Sequence, residues 1–116
     1  MTDSLRELSE QLEHFARERD WQQFHSPKNL ASALIVEAGE LLEHFQWLTE
    51  AESHDLPPQK LAEVREEVAD VLLYLVQFAS ATGIDPVEAA RDKLVANARR
   101  YPVEKARGNS SKHDQL

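Results

Sequence analysis

Apolar residues recur along this chain at spacings of three and four, and the pattern breaks only where proline or glycine falls. A first helix is predicted over residues 3–19. Ser26-Pro27 reads as an N-cap followed by proline at the first helical position, opening a second helix over 27–49. Residues 50–56 read as a polar loop. A third helix begins at Pro57 or Pro58 and ends at Thr82-Gly83, with Gly83 as its C-cap. Asp85-Pro86 caps a fourth, which reaches Arg100 before Tyr101-Pro102 stops it. The β-branched residues are few and lie inside helical patterns, so no strand is predicted. The expectation is an all-α fold: one four-helix domain over residues 1–102 and a polar, non-periodic tail over 103–116, disordered or docked on another subunit.

The pattern also contains misfits. On the second helix, at about 100° per residue, Leu30, Leu34, Leu41 and Leu48 fall within a band of roughly 40°, with Glu37 in or beside that band and Glu40 at its edge. A carboxylate on a core-facing stripe calls for a partner, and residues 30–48 contain no Lys or Arg. The third helix carries Glu63, Glu66, Glu67 and Asp70, with like charges at i, i+4 and no Lys or Arg over residues 66–90. Beyond Asp70 it is apolar on nearly every side, which places such an element centrally in its assembly. Two helices thus each present an acidic pair at i, i+3, and antiparallel packing brings four carboxylates to one centre. Oxygen ligands without His or Cys favour Mg²⁺, or Mn²⁺, over zinc, and Mg²⁺ takes phosphates as further ligands. The competing reading is a solvated face, since Glu63, Glu66, Asp70 and Gln77 also form a wet stripe. Spacing and charge leave both open. His44, at i+4 from Glu40, is expected to pair with it.

Charge and composition narrow the function. With 116 residues, a net charge of −8 and no Cys, the chain is too acidic for a general nucleic-acid binder and has no disulfide or thiolate metal site. The polar N-terminus reads as neither signal nor transit peptide, and no apolar run spans a bilayer, so the expected location is the cytoplasm, away from membranes. With 41% hydrophobic residues the core is thin, and helices of this size bury much of their apolar surface only against copies of themselves. Arg91, Lys93, Arg99, Arg100, Lys105, Arg107 and Lys112 concentrate positive charge after position 90. Lys93 and Asn97, at i, i+4 with Arg100 beyond, form a face suited to distal phosphates or to solvent alone. Trp21 and Trp47 are flat rings able to stack on a base, or ordinary core or interface residues.

Glu37-x-x-Glu40 followed by Glu67-x-x-Asp70 resembles the metal motif of the MazG-like superfamily of all-α NTP pyrophosphatases. The words Arg19-Asp20-Trp21, Phe24-His25, Pro27-Lys28-Asn29-Leu30, Phe45-Gln46-Trp47 and Arg100-Tyr101-Pro102 resemble its dCTP pyrophosphatase branch. The resemblance implies a four-helix MazG-like bundle completed by oligomerisation, in dimers or a homotetramer built as a dimer of dimers. It implies hydrolysis of a nucleoside triphosphate between the α and β phosphates. Glu37, Glu40, Glu67 and Asp70 are implied as catalytic metal ligands. Trp21 and Trp47 are implied as base-pocket walls, and His25, Lys28, Asn29, Tyr74, Lys93, Asn97 and Tyr101 as further substrate-binding positions. One departure stands out: a His that animal members carry nine residues before the Trp is Leu12 here, which leaves the base preference open. The alternatives are dUTP or broad dNTP hydrolysis within the superfamily, and a non-catalytic helical interaction module.

Overall fold

The computed structural model describes residues 3–110. Its elements are α1 (Asp3–Glu18), a 3₁₀ turn (Gln22–Phe24), α2 (Pro27–Glu43), α3 (Glu50–Ser53), α4 (Pro58–Thr82), α5 (Pro86–Arg100) and α6 (Val103–Ala106), with no strand among the described residues. The all-α expectation therefore holds. The chain divides into two compact units, Thr2–Ile84 and Asp85 onward.

In the first unit the helix ends follow local chemistry. The Ser26 hydroxyl accepts from the Asn29 amide at 3.1 Å, and Pro27 occupies the first turn. The α4 helix stops at Gly83, whose φ of 73° suits glycine, with Ile84 N–H donating back to Ala79 at 3.0 Å. The α1 helix stops in the same way without a glycine. Asp20 takes a φ of 53°, Trp21 N–H donates to Ala16 at 2.9 Å, and Asp20 N–H to Arg17 at 3.2 Å. Asp20 also accepts from the Gln23 amide through its carbonyl (2.9 Å) and its carboxylate (3.1 Å), which fixes the turn carrying Trp21.

The second helix is shorter than its apolar periodicity predicts, ending at Glu43 and not near Thr49. Thr49 and Glu52 form a reciprocal capping box, at 2.9 and 3.1 Å, which starts α3 within the segment read as a loop. The stretch between α2 and α3 tightens into turns in which Phe45 and Leu48 N–H groups donate three residues back, to Leu42 and Phe45.

The helices α2 and α4 run antiparallel. Glu37 lies near Asp70 and Glu67, and seven residues further along α2 His44 lies near Glu67 and Glu63. The α1 helix lies along the second half of α4, where the Ser80 hydroxyl donates to Glu13 at 2.7 Å. Leu30, Val64, Val76, Ala79 and Ala16 form the buried core. Burying a side chain the size of Leu30 contributes roughly 1.5–3 kcal/mol. Ile35, Val36 and Leu42 on α2, and Leu61, Val68, Leu72 and Leu75 on α4, stay exposed in the single chain. Among the described residues no single helix is long and apolar enough to cross a membrane.

In the second unit Asp85 accepts from Val87 and Glu88 amides at 3.0 and 3.1 Å, capping α5 as its sequence predicts. Residues 103–106, read as part of a non-periodic tail, form one helical turn after Pro102, and Gly108 follows with a φ of 79°. Residues 111–116 of that tail lie outside the described residues.

Candidate functional site

The antiparallel pairing of α2 and α4 brings Glu37, Glu67 and Asp70 together, with one carboxylate oxygen of each within 4.8 Å of the others. Glu40 is hydrogen-bonded to Glu37 but stands outside this three-residue cluster. No Lys or Arg pairs with these four carboxylates among the described residues. Oε2 of Glu37 and Oε2 of Glu67 are shielded from solvent and have no hydrogen-bond partner. Orphaned acceptors of this kind are unfavourable, and a divalent cation with oxygen preference supplies what both lack. The residues present fit such an ion.

Electrostatics agree. Burial first, then the hydrogen bond to Glu40, then the charges of Glu40, Asp70 and Glu67 raise Glu37 from its ordinary 4.5 to about 7. The consequence for stability has a definite sign. In the metal-free protein the folded state keeps a proton on Glu37 up to about pH 7, whereas the unfolded chain releases it near 4.5. The contribution is fully present below the lower value and is lost as pH rises through the upper one. The urea midpoint of metal-free protein is therefore expected to fall between pH 5 and 7.5, and Glu37→Gln to flatten that slope. An unchanged slope in the variant would assign the effect to other groups.

Next to the carboxylates lies a cavity of about 350 Å³ between α1 and α4. Asp70 lines it on the side of the carboxylate cluster, with Trp21, His25 and Tyr74. Trp21 packs edge-on against Phe15 at 5.7 Å, and the Arg19 guanidinium covers Phe15 at 3.6 Å. An adjoining cavity of about 200 Å³ shares Leu12, His25 and Gln77.

Other expected residues stand elsewhere. The Asn29 side chain donates to the Phe24 carbonyl at 3.0 Å, holding the turn before α2, and Lys28 is exposed beside it; neither lines the two cavities described. Trp47 is 87% exposed and lines neither of these two cavities. Lys93, Asn97 and Tyr101 belong to the second unit, where Tyr101 N–H closes α5 on Asn97 at 2.8 Å.

Two sequence readings need correction. His44 does not pair with Glu40. It lies at the C-terminal end of the shortened α2 and reaches across to α4, 3.8 Å from Glu63 and 4.0 Å from Glu67. The wet stripe drawn through Glu63, Glu66, Asp70 and Gln77 is not uniform. Glu63 and Glu66 are exposed, but Asp70 and Gln77 are half-buried, because α1 covers only the later part of α4. Gln77 had one visible signal, a polar residue interrupting the apolar run after Asp70.

The MazG-like family model matches residues 32–116. The chain is 45% identical over 104 residues to dCTP pyrophosphatase 1 of Mus musculus and 46% identical to that of Homo sapiens, over 88% of this chain and 61% of each relative. It thus spans about three-fifths of the length of these relatives. A crystal structure of a pyrophosphatase from Archaeoglobus fulgidus has the same fold, with a TM-score of 0.82 and 39% identity, covering 88% of this chain and 95% of that one. The family pattern covers all four carboxylates, most of α2 and the whole of α4, and the protein belongs to the MazG-like family.

Proposed function

We propose that this protein is a metal-dependent nucleoside triphosphate pyrophosphohydrolase that converts dCTP, or a related pyrimidine deoxynucleotide, to the monophosphate and pyrophosphate. The observation that carries this reading is the partnerless pair of oxygens on Glu37 and Glu67, beside an aromatic-lined cavity that Asp70 also borders. The names of the similar proteins support the same reaction.

In this reading Glu37, Glu67 and Asp70, with Glu40 beside them, hold Mg²⁺ (or Mn²⁺). When bound, the ion supplies positive charge that neutralises phosphate oxygens and favours attack by water. Water forms the new P–O bond, the α–β anhydride breaks, and pyrophosphate leaves. The chain's own residues position the substrate. Trp21 offers a face for base stacking, worth roughly 1–3 kcal/mol, while Tyr74 and His25 present polar groups along the same cavity. The family resemblance adds Lys93, Asn97 and Tyr101 as further substrate-binding positions, Lys93 and Asn97 forming on α5 a face suited to phosphates. Lys28 and Asn29 enter the proposal only as positions that the family resemblance places around the nucleotide.

The same proposal includes a homo-oligomer, a tetramer built as a dimer of dimers, working in the cytoplasm. Exposed Ile35, Val36, Leu42, Val68 and Leu72 support association, and so does Trp47, which needs a neighbour to act as a pocket wall.

A panel of canonical nucleoside triphosphates with Mg²⁺ tests the proposal by identifying products. Monophosphate and pyrophosphate are expected, with dCTP turned over fastest. Release of orthophosphate alone, or of nothing from any substrate, overturns it. Fastest turnover of dUTP would retain the reaction and replace the substrate.

A further inference from the structure

Among the polar side chains that line the aromatic-lined cavity, Gln77 carries an oxygen that the fold leaves unsatisfied. Oε1 of Gln77 is shielded from solvent and has no hydrogen-bond partner. Its side chain lines both cavities, with Leu12 and His25. A buried carbonyl oxygen without a donor is costly to the folded chain, so its retention points to a donor that arrives from outside.

Position along α4 indicates what part of a ligand would meet it. Asp70, Tyr74 and Gln77 follow one another at i, i+4 and i+7, so they share a face. At 1.5 Å per residue Gln77 stands about 10 Å along the axis from Asp70. A nucleotide whose phosphates lie at Asp70 reaches Tyr74 with its sugar and the Gln77 end with its base. Trp21 lines the same cavity and supplies the stacking face, which holds any base without distinguishing among them. Leu12 adds no hydrogen-bonding group. Gln11, His25 and Tyr74 line the cavity too, but among its polar side chains the Gln77 carbonyl is the one buried without a partner, and it requires a donor. Cytosine presents its exocyclic amine where uracil and thymine present an acceptor.

We infer that Gln77 is the base-reading residue of this site, its buried carbonyl accepting a hydrogen bond from the exocyclic amino group of a cytosine nucleotide. The inference rests on the nucleotide-hydrolase reading above and assigns its base specificity.

The test compares dCTP with an analogue whose ring lacks only the 4-amino group, 2′-deoxyzebularine triphosphate, on the full-length protein with Mg²⁺. In the wild type kcat/KM for dCTP is expected to exceed that for the analogue by about tenfold, the worth of one neutral hydrogen bond. In Gln77→Met, which keeps the volume and removes the acceptor, the ratio is expected to fall to about one, through KM more than kcat. If that variant does not fold, Gln77→Ala makes the same comparison by removing atoms only. A merely structural role would lower both substrates together and keep the ratio, and that result overturns the inference while leaving the hydrolase reading intact. Absence of turnover of either substrate by the wild type fails the hydrolase reading itself.

Discussion

Replacing Glu37 by Gln, or Asp70 by Asn, is expected to lower pyrophosphate release by more than about 100-fold, since changing even outer partners of metal ligands commonly weakens metal sites by 10–100-fold. Both substitutions keep side-chain size and remove one negative charge from a cluster whose three carboxylates lie within 4.8 Å. Helicity is expected to stay unchanged, because neither side chain is part of the buried core formed by Leu30, Val64, Val76, Ala79 and Ala16. Stability should move opposite to activity. Burial and three neighbouring carboxylates disfavour the charged form of Glu37, so near pH 7.5 the metal-free Glu37→Gln protein is expected to resist urea better than the wild type. Turnover and urea midpoint measured on the same preparations check both parts. Full activity in both variants would remove these residues from the metal site.

The second large effect is thermal. Metal and nucleotide together are expected to raise the melting temperature by about 10 °C at concentrations near a hundred times Kd, where binding contributes about 2.7 kcal/mol and each kcal/mol shifts a domain of this size by several degrees. Metal alone should give a smaller rise, because it satisfies the oxygens of Glu37 and Glu67 but leaves the aromatic-lined cavity unfilled. Asp70→Asn should suppress most of both rises. A non-catalytic helical interaction module predicts no selective response to the combination, and a flat melting temperature with a panel of triphosphates would favour that reading.

Much of the fold was legible from short-range chemistry. Ser26-Pro27 and Asp85-Pro86 announce helix starts, and Gly83 announces a stop, because each acts through backbone groups a few residues away. The end of α2 was misread for the opposite reason. Phe45 and Leu48 continue the apolar period, while the capping box that competes with it lies further on, in Thr49 and Glu52. The 3₁₀ turn and the left-handed Asp20 also escape a reading that expects glycine at such positions. In the site, Glu37 was visible because a charge on a leucine stripe is a local contradiction. Asp70 and Gln77 were ambiguous because their burial is set by α1, which meets only part of α4. His44 was misassigned because its neighbours come from the opposite helix. Trp47 remains without a wall to form inside one chain, and no pattern within one chain can supply the surface of a second.

The division of labour around α4 has a further consequence. Its first half faces α2 across the carboxylates, and its second half faces α1 across the cavity. The α2–α4 pairing joins positions such as Glu37 and Glu67, 30 apart in the chain, whereas α1 meets α4 through pairs such as Glu13 and Ser80, 67 apart, and contacts of greater separation tend to form later. In the proposed reading, the carboxylate cluster and the base-reading cavity would then be assembled at separate stages of folding. An α2–α4 pair closed before α1 docks would already carry the carboxylate cluster, while the cavity proposed to read the base is completed only by the N-terminal helix.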